Sequence, residues 1–328
     1  MIVDAHCHVI VEEMTAPGVP ENWRPVVTRA GGQYRLGFRG REINSVTGEF
    51  TDIDVMLAQA AATGVDHLLL SPWINLVPVD AGPDEARLVC QVQNEALAAA
   101  VAARPGRLTA VGAVALQDPA LAARQLAEMV TVPGICGAEI PASVAGRYLG
   151  DDFFLPFWEA AEATGAVVFI HPATRGFGLP VLAGYYLWNS VGNPLETAVT
   201  AAHMAVTGVL ERHPRLRVLL AHGGGALPVV RGRLRRAFAV RAEAAARCRA
   251  GPDESLRRFF YDTVTHDPGL LADLVRYAGP EQILLGSDRP FDMGTDDPAA
   301  EVRALRLGAA EELVLGGNAA RLTGTGDG

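Results

Sequence analysis

Four short apolar runs in this chain each stop on a histidine or an aspartate, and that recurrence constrains the fold more than any other feature. The runs are Met1-Ile2-Val3-Asp4-Ala5-His6-Cys7-His8, Val167-Val168-Phe169-Ile170-His171, Val218-Leu219-Leu220-Ala221-His222 and Ile283-Leu284-Leu285-Gly286-Ser287-Asp288. Side chains on an extended segment repeat every second residue, so His6 and His8 point to one side. Taken alone, a His-x-His is read as two incidental side chains at a frayed end. Three later runs ending in the same kinds of residue overturn that reading and predict one mouth where strand ends converge.

Between these runs, further apolar segments alternate with helical patterns. Strands are predicted at 67–71, 109–115, 134–140 and 259–262, and helices at 54–63, 84–103, 118–131, 153–164, 194–212, 226–249 and 268–277. Gly64 closes the first helix and Gly165 the fourth, as C-terminal caps do. Short, continuously apolar strands alternating with helices indicate a parallel sheet covered on both faces. The fold class is therefore α/β, read as a closed (β/α)8 TIM barrel, with an open doubly wound sheet as the alternative. Residues 9–50, rich in Gly, Pro and Arg and weakly periodic, read as an irregular insertion after the first strand. With no repeat or linker, residues 1–328 read as one domain.

Composition excludes several functions. The net charge of −9 argues against a nucleic-acid partner. All 28 basic residues are arginine, which excludes a lysine Schiff base and a carboxylated-lysine metal bridge. Cys7, Cys90, Cys136 and Cys248 form no C-x-x-C pair and read as reduced thiols of a cytoplasmic protein, with Cys7 aimed away from its flanking histidines. No run approaches the ~18 apolar residues of a membrane span, so no membrane partner is expected.

In such barrels the carboxyl ends of the strands carry the active site. His6, His8, His171, His222 and Asp288 are delivered to that end, and imidazoles with one carboxylate suit one divalent metal, zinc by ligand type or manganese. Five candidates exceed what one ion needs. His222, followed by Gly223-Gly224-Gly225, is the candidate acid/base, the glycines leaving room for substrate near the backbone. Glu139 reads as a supporting group rather than a bridge between two ions. Asp262 and His266 either orient ligands and substrate or are structural. His67, His203 and His213 read as structural or exposed.

The segments DAHCHV at 4–9, HP at 171–172, AHGGG at 221–225 and GSDRPF at 286–291, in that order, resemble the amidohydrolase superfamily. They are most similar to its branch of aminocarboxymuconate-semialdehyde decarboxylase and related nonoxidative decarboxylases. The resemblance runs from position 4 to about 322. It implies His6, His8, His171 and Asp288 as metal ligands and His222 as the group that moves a proton at the metal. It also implies Arg233, in VVRGRL, as an arginine that crosses a homodimer interface to bind a substrate carboxylate, and Arg41, in GREI, as a second carboxylate-binding arginine. Phe291 and Trp188 are implied as walls of the substrate pocket. Arg289 replaces an aromatic residue usual in the family; it reads either as a structural ion pair or as an extra carboxylate clamp.

The expected activity is metal-dependent, redox-neutral decarboxylation of a small unsaturated or aromatic carboxylic acid, with His222 and Asp288 as catalytic groups. A metal-dependent hydrolase or hydratase on the same barrel is the alternative, since every ligand would serve it equally. A non-catalytic metal-binding protein is the third reading.

Overall fold

The computed structural model describes residues 1–30, 33–46 and 50–325. Eight strands neighbour one another in chain order: β1 (Val3–Val9), β2 (His67–Pro72), β3 (Leu108–Ala113), β4 (Ile135–Pro141), β5 (Val167–His171), β6 (Arg217–Leu220), β7 (Phe260–Asp262) and β8 (Ile283–Leu284). Every pairing between them is parallel. The two ends of this sheet meet: Ala5 N donates to Leu285 O (2.8 Å), Asp288 N to His6 O (2.8 Å) and His8 N to Arg289 O (2.7 Å), so the barrel is nearly closed.

Alternation along each strand sorts side chains into two layers. Leu69, Val111, Val167, Phe169, Leu219 and Leu284 form an inner cluster, while Leu68, Leu70, Val168, Ile170, Val218 and Leu220 pack outward into the larger cluster shared with the helices. Burial on both faces is why these strands read as continuous apolar runs. In β1 the register with β2 shifts between Asp4 and Cys7. Val3 and Ala5 belong to the inner cluster, but Cys7 and Val9 belong to the outer one. The shift therefore turns His6 and His8 into the lumen, where His6 packs 4.9 Å from the Phe169 ring.

Helices cross between the strands, several with a readable start. Asp52, Asp118 and Asp267 accept backbone N–H groups at the first turns of the helices Ile53–Ala62, Pro119–Met129 and Pro268–Ala278. Three expected boundaries differ. The predicted helix 194–212 breaks at Thr207-Gly208, where Gly208 has φ 72°, into Asn193–Val206 and Val209–Arg212. The predicted helix 226–249 ends at Val240, because Arg241 takes an extended conformation. β8 is only two residues long, and Gly286 to Asp288 leave it as a turn with Asp288 at φ 60°.

The insertion after β1 is not irregular. Val26–Ala30, Gln33–Phe38 and Arg41–Val46 form an antiparallel three-stranded sheet. Arg39 and Gly40 turn between its last two strands with φ of 51° and 71°, as a tight hairpin requires. Phe38 packs on Trp23 and Trp73, and Phe50 on Trp73 and Phe291, so the sheet is seated beside the barrel mouth. No helix among the described residues is long and apolar enough to cross a membrane.

Candidate metal centre and its cleft

His6, His8, His171 and Asp288 each offer a ligand atom, and these atoms lie within 4.8 Å of one another, all four residues being buried. His6 Nε2 is 3.0 Å from His8 Nε2, and Asp288 Oδ1 is 3.3 Å and 3.2 Å from those nitrogens. The opposite ring nitrogens explain this convergence. His171 Nδ1 donates to Pro172 O (2.9 Å), which as a carbonyl must accept. Ser71 Oγ donates to Cys7 O (3.0 Å) and so is left to accept from His8 Nδ1 (3.0 Å). His6 Nδ1 lies 2.5 Å from the Asp262 carboxylate. Each imidazole thus holds a proton on Nδ1 and turns its Nε2 toward a shared point, an orientation imposed by the groups behind it.

Two of the converging atoms, His171 Nε2 and Asp288 Oδ1, are buried with no hydrogen-bond partner. Buried polar atoms left unpaired are costly, and here they are the atoms a cation would satisfy. Charge points the same way. Burial disfavours a charged His6, yet Asp288 and Asp262 raise its pKa to about 10. Burial, reinforced by His8, His222 and His6, pushes His171 well below the usual imidazole range. Burial also opposes ionisation of Asp288, but the charge of His6 and the closely placed His222 and His8 rings hold its carboxyl well below the usual range. The set stabilises positive charge at its centre, and its three imidazoles and one carboxylate fit a divalent metal.

His222 stands beside this set. Its backbone N donates to Asp262 Oδ2 (2.9 Å) and Gly223 N to Asp262 Oδ1 (2.7 Å), holding His222 at φ 57°. Its Nε2 is 3.5 Å from Asp288 Oδ2, and the ring remains partly exposed to the cleft. One carboxylate, Asp262, therefore braces both His6 and His222. None of the three glycines after His222 would tolerate a side chain: a Cβ on Gly225 would lie 2.1 Å from Pro194 O, and one on Gly224 2.8 Å from the Tyr261 ring. The expectation that they make room for substrate therefore fails at Gly223 and Gly224, whereas Gly225 lines the lobe beyond His222. Glu139 is fully buried, 3.7 Å from His8 Nδ1, and burial raises its carboxyl pKa well above the ordinary value. Cys7 Sγ turns away to Leu69 O (3.4 Å). His67 is tied to Thr109 Oγ1 and Gly106 O, and His213 to Glu162.

A cleft opens onto His171, His222 and Asp288, walled by Trp73, Arg175, Trp188 and Phe291. Phe291 also packs 5.6 Å from the His8 ring. A second lobe beyond His222 and Asp288 is lined by Asn189, Asn193, Thr265 and His266. Arg41 lies at the outer edge, in an adjoining lobe that shares Trp73, Asn75 and Arg175 with the cleft. Arg233 is exposed on the helix Leu227–Val240 and lines none of these spaces. Arg289 is also elsewhere: its Nη2 donates to Thr63 Oγ1 (3.2 Å) and Asp296 O (2.7 Å), away from the cleft lining. The expectation of a substrate clamp there is corrected to a structural tie. Arg175, Trp73 and Asn193 were missed; Arg175 alone had a signal, a cation four residues beyond His171 in a glycine-rich loop.

A nearly closed parallel barrel with three imidazoles and a carboxylate gathered at its carboxyl mouth defines a metal-dependent enzyme of the α/β-barrel class. The chain belongs to the amidohydrolase family, whose model matches residues 3–324. It is 28% identical over 330 residues to 2-amino-3-carboxymuconate-6-semialdehyde decarboxylase of Dictyostelium discoideum, covering 98% of this chain and 91% of that protein. The crystal structure of 5-carboxyvanillate decarboxylase from Sphingomonas paucimobilis superposes with a TM-score of 0.84 at 26% identity, covering 98% of each chain. A dihydroxybenzoic acid decarboxylase from Polaromonas, solved with bound manganese and the inhibitor 2-nitroresorcinol, superposes with a TM-score of 0.80 at 23% identity, covering 100% of this chain and 98% of that one.

Proposed function

We propose that this chain is a metal-dependent nonoxidative decarboxylase of a small unsaturated or aromatic carboxylic acid. The observation that carries this reading is the convergence of His6, His8, His171 and Asp288 within 4.8 Å beneath a cleft that also presents His222 and a guanidinium. The decarboxylase names of the relatives support it. His6, His8, His171 and Asp288 would hold one divalent ion, zinc on ligand type, with manganese as the alternative that the Polaromonas structure supports. When bound, the ion supplies Lewis-acid chemistry, polarising a substrate oxygen.

The remaining work falls to the chain itself. Trp188 and Phe291 wall the cleft and orient a flat substrate, and Arg41 faces a substrate carboxylate from the insertion. His222 Nε2 delivers a proton to the carbon bearing the departing carboxylate. The bond to that carboxylate then breaks, its electron pair restores the unsaturated system, and CO2 leaves; the products are CO2 and the substrate skeleton with hydrogen in place of that carboxylate. Asp288 Oδ2, 3.5 Å from His222 Nε2, steadies the imidazolium and shares the proton. His222 is reprotonated from the cleft side, where its ring is partly exposed.

We further propose that the active form is a homodimer in which Arg233, exposed and outside its own cleft, lies near or across the interface. Residues 1–328 act as one domain, and the four unpaired thiols support a cytoplasmic location. The test is CO2 release by metal-loaded protein from a panel of hydroxybenzoate-type and muconate-type acids. Release from at least one is expected; none from any member overturns the reading.

A further inference from the structure

Arg175 is built into the cleft with unusual firmness. Its guanidinium carbon lies 3.7 Å above the Trp188 ring. The loop that carries it is tied to the buried Glu196, whose carboxylate accepts from Ala173 N (3.1 Å), Thr174 N (3.0 Å) and Thr174 Oγ1 (2.6 Å). Arg175 itself takes φ 57°, a conformation that L residues rarely adopt and that persists where surrounding contacts enforce it. The enforcing contact is a glycine pair. A Cβ on Gly176 would lie 3.0 Å from Gly192 Cα, and one on Gly192 2.5 Å from Gly176 Cα. Gly192 ends the wide π-turn Trp188–Gly192, so one close approach sets Arg175 and Trp188 against each other.

Among the described residues the charge of Arg175 has no answering anion. No carboxylate among them pairs with it, whereas neighbouring Arg39 is neutralised by Asp80 at 2.7 Å. Burial, and then the nearby Arg41, pull the Arg175 pKa below the usual guanidinium value. A half-buried guanidinium facing a second arginine, in a cleft that opens onto the metal set, is a site for an anion.

We propose that Arg175, backed by Trp188, binds a second carboxylate of the substrate, the one that is not lost, and so selects diacids over monoacids. This rests on reading the site as that of a carboxylic-acid decarboxylase. With one carboxyl at the metal set and the other on the Arg175 fork, the flat body between them lies along the Trp188 and Phe291 walls.

The test is calorimetric binding of two unreactive probes, isophthalate and benzoate, to the zinc-loaded full chain, its R175Q and R175K variants, and R41Q. Isophthalate is expected to bind wild type at least about tenfold tighter than benzoate, one charge-assisted fork being worth that much. R175Q should abolish the difference by weakening isophthalate about tenfold or more while moving benzoate less than about twofold, and R175K should restore only part of it. R41Q should narrow the difference less than R175Q. Isophthalate binding wild type no tighter than benzoate overturns the proposal without recourse to any variant. Equal weakening of both probes in R175Q also overturns it, since Arg175 would then hold the departing carboxylate. Binding discrimination without CO2 release from any diacid would sink the decarboxylase reading alone; CO2 release without discrimination would sink the Arg175 assignment alone.

Discussion

Replacing Asp262 with asparagine separates the brace from the ligands it supports. Asp262 Oδ2 accepts from His6 Nδ1 (2.5 Å) and His222 N (2.9 Å), and Oδ1 from Gly223 N (2.7 Å) and Val264 N (3.0 Å), all of it buried. An amide has one acceptor oxygen, so in either rotamer its NH2 confronts two donors. Leaving a buried donor unsatisfied costs about 1–3 kcal/mol, so about 2–6 kcal/mol of stability is at stake for the pair. Against a total of roughly 5–15 kcal/mol, the variant should still fold but melt lower. Loss of the carboxylate behind His6 also frees its ring to carry the proton on Nε2, and such supporting contacts are worth about 10–100-fold in metal affinity. The measurement is zinc affinity by chelator competition, paired with thermal unfolding of chelator-treated protein. Binding within about twofold of wild type, with an unchanged melting temperature, would refute the view that Asp262 orients His6.

Three further outcomes follow from the same geometry. Because the folded pKa of His6 is raised to about 10 from 6.5, its stabilising contribution is complete below pH 6.5 and is lost as pH rises through the folded value; chelated protein should melt progressively lower from pH 6.5 to 9. Glu139, with its carboxyl pKa also raised, acts with the same sign, and metal-loaded protein should lose less because a cation takes the place of the His6 proton, so equal slopes with and without chelator would contradict the charge argument. His222→Ala should reduce CO2 release by about 100-fold or more while elemental analysis finds the metal retained; metal lost in step with activity would make His222 a ligand. Gly192→Ala, whose new methyl would meet Gly176 Cα at 2.5 Å, should destabilise by about 1–3 kcal/mol in urea unfolding and weaken isophthalate more than benzoate. Wild-type stability in that variant would show that the glycine contact does not hold the loop.

How much could be read beforehand depended on periodicity. His6, His8, His171 and Asp288 were legible because each ends an apolar run, and a parallel barrel gathers such ends at one face. Arg175 was not, since it sits in a loop fixed by Glu196 and by the Gly176–Gly192 approach, both contacts between segments distant in sequence. The sheet over 26–46 escaped because its strands are interleaved with Gly and Arg and lack the continuous apolar run that marks the barrel strands. Arg289 was left open between a structural tie and a clamp because residue type alone fits both; the backbone beyond Asp288 turns its fork to Thr63 and Asp296.

The change of parity in β1 has a consequence for transplanting this centre. Val3 and Ala5 fill the lumen by one count and His6 and His8 enter it by the other, with a single out-of-step backbone unit between them. Hydrophobic core and ligand pair are thus written in two reading frames on one strand. Without that shift, histidines at positions 6 and 8 behind an inward Val3 and Ala5 would aim both rings at the helices; to keep this core and this ligand pair together, residues 3–9 have to travel as one cassette.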